Sequence, residues 1–221
     1  MTRDEGGHWL ELDGLARRGA FELFKTYEDP WFNLCAEVRV GASLAWCREH
    51  GASFSRACWF LCLRVADRVA PLRYRLRGDR IWAHDHVGVA TTILNEDGES
   101  FSFCHFAYAE TFGAFCAGAD AALRARVSGE LDDRPDEDGV LFGSTLPWVR
   151  FTSVSHARRG GETPERGVPK IVLGRFVEEE PGAPMPVSLE IHHALADGLH
   201  AGRFFAALQD ALDHPARELA G

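Results

Sequence analysis

Apolar residues change their beat several times along the chain, and each change marks an element. Residues 15–25 carry Phe21 and Phe24 at helical spacing, and Pro30 ends the extension of that segment. Residues 35–40 alternate with a period of two and predict a strand. From 44 to 69 the apolar positions Leu44, Cys47, Cys58, Cys62, Val65 and Val69 follow a helical period. Gly51-Ala52-Ser53 divides that stretch into two helices, with Ser53 placed to cap the second and Pro71 closing it. Short strands are predicted at 74–76, 80–84 and 90–94, with Gly78-Asp79 turning the first hairpin. The turn Asn95 to Gly98 precedes the alternating 101–104, and a helix at about 109–127 carries Phe112, Phe115, Ala119 and Leu123.

The last third reads as strand-rich. Residues 128–139 hold Glu130, Asp132, Asp133, Asp136, Glu137 and Asp138 with Pro135, a composition that predicts a solvated loop. Residues 148–154 and 170–177 read as extended, 158–169 as an exposed Gly/Pro/Arg loop, and 186–193 as a strand feeding a helix at about 198–212. Strands and helices intermix without a regular βαβ beat, an internal repeat or a domain-sized linker. The expectation is one domain over 1–221: an α/β two-layer sandwich with a mixed, largely antiparallel sheet packed against helices.

Composition narrows the function. A chain of 221 residues, 46% hydrophobic and 26% charged, is neither disordered nor repetitive in composition. Its formal net charge of -9 argues against a nucleic-acid groove. Arg158, Arg159, Lys170 and Arg175 gather basic residues locally, enough to hold one small phosphorylated ligand. No apolar run is long enough for a membrane span, and Arg3, Asp4 and Glu5 spoil a secretory signal, so a cytoplasmic protein is expected. The six cysteines (Cys35, Cys47, Cys58, Cys62, Cys104, Cys116) form no CxxC pair, which favours buried free thiols over a zinc site or disulfides.

The segment from Val187 to Gly198 holds the sharpest chemistry. Alternation puts Val187, Leu189, Ile191 and His193 on one strand face and Ser188, Glu190 and His192 on the other. His193 therefore arrives at the strand end on the apolar side. Asp197 lies four residues on, where Gly198 opens the terminal helix. Adjacent strand histidines point apart, and neither HExxH nor a three-histidine set is present, so no metal site is expected.

These residues carry a resemblance. His192-His193-Ala194-Leu195-Ala196-Asp197-Gly198 is similar to the HHxxxDG motif of the chloramphenicol acetyltransferase family. That motif is shared with dihydrolipoyl acyltransferase cores and peptide-synthesis condensation domains. A narrower match is Leu146-Pro147-Trp148-Val149-Arg150-Phe151-Thr152-Ser153, close to the family's PWVxFxS stretch. Arg17 with Phe21, Leu72 to Arg75, Ser100 to Phe103 and Pro169 to Phe176 also follow the family, and the likeness runs over about residues 8–213.

The resemblance implies an acetyl-CoA-dependent O-acetyltransferase with no permanently bound cofactor, acetyl-CoA being a co-substrate. The expected acceptor is the primary hydroxyl of chloramphenicol. Alternatives are another small alcohol or amine, or a noncatalytic ligand-binding homologue. His193 matches the general base and Ser153 the oxyanion donor, with direct transfer in a ternary complex. Asp197 matches a carboxylate paired with an arginine, here Arg17 by register, with Arg18 its adjacent rival. Phe24, Phe103, Cys104 and Phe106 suggest an apolar acceptor slot, and Val172 stands where the family has a threonine that helps hold a water. Trp148, Arg175 and Phe176 match the CoA side. Family members are homotrimers, which implies that His193 faces a neighbouring subunit's pocket.

Overall fold

Strand β9 (Pro184–His192) is buried along nearly its whole length, and the sheet spreads out from it. The computed structural model describes residues 6–129, 131, 137–158 and 166–220. Six strands form the main sheet in the order β2 (Trp31–Arg39), β9, β8 (Lys170–Leu173), β7 (Val140–Thr145), β5 (Gly88–Leu94) and β6 (Phe101–Phe106). β7 pairs in parallel with both β5 and β8, and the remaining pairs are antiparallel. A smaller antiparallel sheet has the order β1 (Gly7–Trp9), β4 (Arg80–His84), β3 (Tyr74–Arg77). The expected two-layer sandwich with a mixed, largely antiparallel sheet is what forms; the small second sheet was not foreseen.

Helices α2 (Gly41–Glu49), α3 (Phe54–Arg68), α4 (Phe112–Ala125), α5 (Gly198–Asp213) and α6 (Pro215–Leu219) make the second layer. Local chemistry starts them where the pattern does. The Ser53 side chain accepts from the Arg56 N–H, and Thr111 does the same for Ala114 N–H at 3.2 Å. α3 is buried almost all round, so its helical stripe lies sunk in the core rather than on a surface. Trp59 from α3 lies so close to the sheet that a Cβ on Gly143 would stand 2.6 Å from its ring. All six cysteines are free; burial pushes the Cys62 thiol up to about 12 and Cys47 to about 11. Among the described residues no helix is long and apolar enough to cross a membrane.

A second, smaller core holds the site in place. Phe21 of α1 (Arg18–Phe24), Ile81 of β4, and Ala194 and Leu195 just after β9 pack together, with Phe24, Tyr74 and Leu76 against them. The small sheet, the first helix and the turn after His193 are thus one apolar cluster, separate from the helix-side core.

Some sequence expectations fail, and the strand expected over 170–177 stops at Leu173. Residues 148–154 form no strand: the chain turns at Pro147 and Trp148, and the strand is β7, earlier, where it has partners on both sides. Asp138 does not lie in a solvated loop, although Glu130, Asp132, Asp133 and Asp136 fall outside the described residues. Its side chain is 2% exposed and accepts from His84 Nε2 at 2.9 Å, Arg77 Nη2 at 2.7 Å and Arg166 Nη1 at 3.3 Å. Beside it the fully buried Arg75 guanidinium donates to the carbonyls of Leu72, Tyr74, Asp138 and Val140. This hub ties the small sheet to the start of β7.

Burial works to raise the Asp138 pKa, but the hydrogen bonds and charges of His84 and Arg77 prevail and hold it well below the ordinary carboxyl value of 3.8. A depressed folded-state pKa stabilises above the unfolded value and is lost as pH falls through the folded one. Asp138→Asn should therefore cost about 3 kcal/mol at neutral pH, because it strands buried cations. It should also flatten the loss of stability from about pH 4 downward. Circular dichroism of denaturant unfolding across that range checks both, and an unchanged acid limb refutes the linkage.

Candidate active site

His193 projects immediately beyond β9, and its backbone is held at both ends. Its N–H donates to the Pro30 carbonyl at 2.7 Å, and its own carbonyl accepts from Arg17 Nη2 at 2.9 Å. The ring lies flat on Phe24, with centroids 3.8 Å apart and planes 6° from parallel, and tilts against Phe32 at 4.8 Å. Its Nδ1 is buried without a hydrogen-bond partner among the described residues. The imidazole is gripped by its faces while its backbone is pinned, an arrangement that fixes direction without using up the ring nitrogens.

The same guanidinium reaches further. Arg17 Nη1 pairs with Asp197 Oδ2, whereas Arg18 bridges the exposed Asp13, so the structure resolves the choice between adjacent arginines by register. Asp197 caps α5: its Oδ1 accepts from the Leu199 N–H at 3.0 Å and lies 2.8 Å from His200 Nδ1, which also faces the Asp197 N–H. Burial, then the charges of Arg17 and Arg203, push His200 below its ordinary 6.5. That favours the neutral ring, which has one nitrogen free to accept. Gly167, at φ +77, passes directly over this turn; a Cβ there would lie 2.5 Å from Leu195.

Other expected residues fall into two groups. The backbone N–H of Arg175 donates to the Val149 carbonyl at 3.0 Å, bringing Trp148, Arg175 and Phe176 to one locality. Trp148 is 64% exposed, and Phe176 meets Phe54 edge-on at 5.4 Å. The acceptor-slot residues are dispersed. Phe103 sits on β6, four strands from β9 in the sheet order, about 19 Å across. Alternation on β6 turns Cys104 and Phe106 into the helix-side core, where Phe106 meets Phe115 edge-on at 6.0 Å. Val172 is on the opposite sheet face from that core, but is only 1% exposed. Ser153 is exposed in an irregular segment, and its side chain makes no hydrogen bond among the described residues.

The sequence reading missed the chemistry of the sheet face away from the helices. Ser188, Glu190 and His192, expected on the face opposite the core residues, are all buried too. Ser188 Oγ exchanges hydrogen bonds with the Asn33 amide at 2.7 and 3.0 Å, and Glu190 gathers Arg158, His156 and Lys170. The basic residues read as a ligand cradle are therefore split: Arg158 and Lys170 engage Glu190, Arg175 stands by Val149, and Arg159 lies outside the described residues. The available signal was an acid and a base at cross-strand positions, Glu190 opposite Lys170.

The clamp has a direct consequence. Arg17→Ala should lower the thermal midpoint by several degrees, since it frees a half-buried carboxylate, and reduce activity with it. Arg18→Ala should leave both within error, because an exposed pair contributes at most about 1 kcal/mol. Calorimetry and turnover on the two variants check this, and equal effects refute it.

Comparison with known proteins places this geometry. A family described as chloramphenicol acetyltransferase matches residues 8–209. A chloramphenicol acetyltransferase of Streptomyces acrimycini is 32% identical over 214 residues, covering 94% of this chain and 94% of its own length. Chloramphenicol acetyltransferase 2 of Haemophilus influenzae is 25% identical over 208 residues, covering 93% and 96%. A solved chloramphenicol acetyltransferase superposes with a TM-score of 0.80 at 24% identity, over 93% of this chain and 99% of its own. A solved probable dihydrolipoamide acetyltransferase from Listeria monocytogenes reaches 0.59 at 14% identity, over 90% of this chain and 92% of its own, a likeness of fold.

Proposed function

The chain belongs to the chloramphenicol acetyltransferase family and is an acetyl-CoA-dependent acyltransferase, and we propose that it acetylates the primary hydroxyl of chloramphenicol with His193 as general base. The observation that carries this reading is His193 itself: pinned through its backbone by Pro30 and Arg17, stacked on Phe24, and followed by the Asp197 cap. In the reaction, a ring nitrogen of His193 takes the acceptor's hydroxyl proton as the oxygen attacks the thioester carbonyl. The Ser153 hydroxyl donates to the resulting tetrahedral oxyanion. Collapse breaks the carbon–sulfur bond, and the imidazolium returns its proton to the departing CoA thiolate. No acyl-enzyme is formed, so both substrates meet at one imidazole.

The working unit in this reading is a cytoplasmic homotrimer of single-domain chains, with the site shared between subunits. Two features support it. The sheet face without helices exposes Phe142, Phe101 and Leu94, each at least 40% accessible. Phe103, proposed for the acceptor pocket, lies on the far side of the sheet from its own His193, as the pocket of a neighbour's histidine requires. Phe24 serves the acceptor at His193, and Trp148, Arg175 and Phe176 serve CoA. Valine at 172 has no side-chain hydrogen bond to offer a water, so any water held there must be supported by other groups.

Free thiol release from acetyl-CoA, followed with a thiol reagent, should depend on chloramphenicol and fall about 10²–10⁴-fold in His193→Ala. Release with another alcohol or amine but not with chloramphenicol would overturn the acceptor, and normal turnover in the variant would remove the base. Light scattering should return about three times 24.5 kDa. A stable, active monomer would refute the shared site.

A further inference from the structure

The segment bearing Ser153 has almost no backbone support. Residues 151–157 belong to no helix or strand, and no backbone–backbone hydrogen bond involves them among the described residues. At one end the Phe151 ring packs so tightly over Gly174 that a Cβ there would lie 2.9 Å from it. At the other, the Glu190 carboxylate gathers basic side chains of the segment. Glu190 Oε1 accepts from Arg158 Nη1, lies 3.6 Å from His156 Nδ1 and 3.5 Å from Lys170 Nζ. Arg158 Nε is 3.5 Å from Asp29 Oδ1. The Arg158 guanidinium and Lys170 ammonium also stand over the Trp31 ring, at 5.0 and 4.8 Å.

We infer that Glu190 is a positioning residue: fixed in β9 three positions before His193, its carboxylate pins Arg158 and thereby sets where Ser153 stands for the reaction. The inference rests on the reading of Ser153 as oxyanion donor. Five residues of chain from Ser153 to Arg158 span at most about 17 Å, so an anchor at Arg158 limits the travel of the serine. Burial works to raise the Glu190 pKa, yet the neighbouring His156 ring, the hydrogen bond from Arg158 and the charge of Lys170 hold it at about 2. The anchor is therefore ionised at any pH where the imidazole is a base. Buried ion pairs are poor sources of stability and better suited to selecting one geometry. Here the geometry selected is that of an otherwise unladdered segment.

Three variants test this: Glu190→Gln, which keeps the shape and removes the charge, Arg158→Gln, which cuts the tether from its more exposed side should the first fold poorly, and Ser153→Ala. Steady-state kinetics and crystal structures of the variants, read for the position and displacement factors of 151–158, are the readouts. Loosening the tether should lower kcat about ten-fold or more with KM for either substrate within about two-fold, since small misplacements of a transition-state donor act on kcat. Residues 151–158 should shift or show larger displacement in the Glu190 and Arg158 variants, and the kcat loss should vanish in the Ser153→Ala background. An unmoved 151–158 segment, a kcat loss that adds in full to that of Ser153→Ala, or a change confined to KM overturns the proposal. A normal kcat in Ser153→Ala alone would instead overturn the oxyanion role, while the position of the segment still decides whether Glu190 holds it.

Discussion

The contact on which the site depends is the double grip of Arg17. One guanidinium nitrogen holds the His193 carbonyl and another holds Asp197, which starts the last long helix. The loop between them is only Ala194, Leu195 and Ala196, all buried, so a charge anchored in the first helix dictates the path of a turn at the other end of the chain. The pair is largely shielded from solvent, so removing either partner strands the other charge. Its effect is on direction: with both ends of the turn fixed, the imidazole has one way to face.

That grip works because the arginine's own element cannot drift. Phe21 is completely buried against Ile81, Ala194 and Leu195, so the first helix, the small sheet and the turn move as one body. The small sheet is in turn bound to β7 through Asp138 and Arg75. Support for His193 thus runs through apolar packing close by and through ionic bonds farther out, where buried backbone carbonyls need donors and the arginines supply them.

The parts of this arrangement with local causes were legible in the sequence. Ser53 caps where the apolar period begins, Gly78 turns its hairpin at φ +63, and the spacing of Ala201, Phe204, Leu208 and Ala211 makes the terminal helix. The segment from His192 to Gly198 announced both the strand end and the cap. What stayed hidden had non-local causes. Asp138 sits in an acid-rich stretch that reads as solvated, and only the folded chain brings His84, Arg77 and Arg166 to it. Glu190 alternates as a residue opposite the core face should; its burial comes from segments returning across the sheet from as far as Arg158. Alternation separates two faces of a strand, but it does not reveal that both are covered.

The pairing of β2 with β9 sets Trp31 opposite His192 and brings Phe24 and Phe32 onto His193. Those partners are far apart along the chain, and closure of so long a loop is slow even where its entropic cost is modest. During synthesis Arg17, Phe24 and Phe32 emerge early, and until β9 follows them β2 lacks the neighbour that gives it a place in the sheet. An unpaired, partly apolar strand is a template for wrong partners. The step that completes the surroundings of His193 is therefore the same step that retires this hazard, and a finished site and escape from misassembly arrive together.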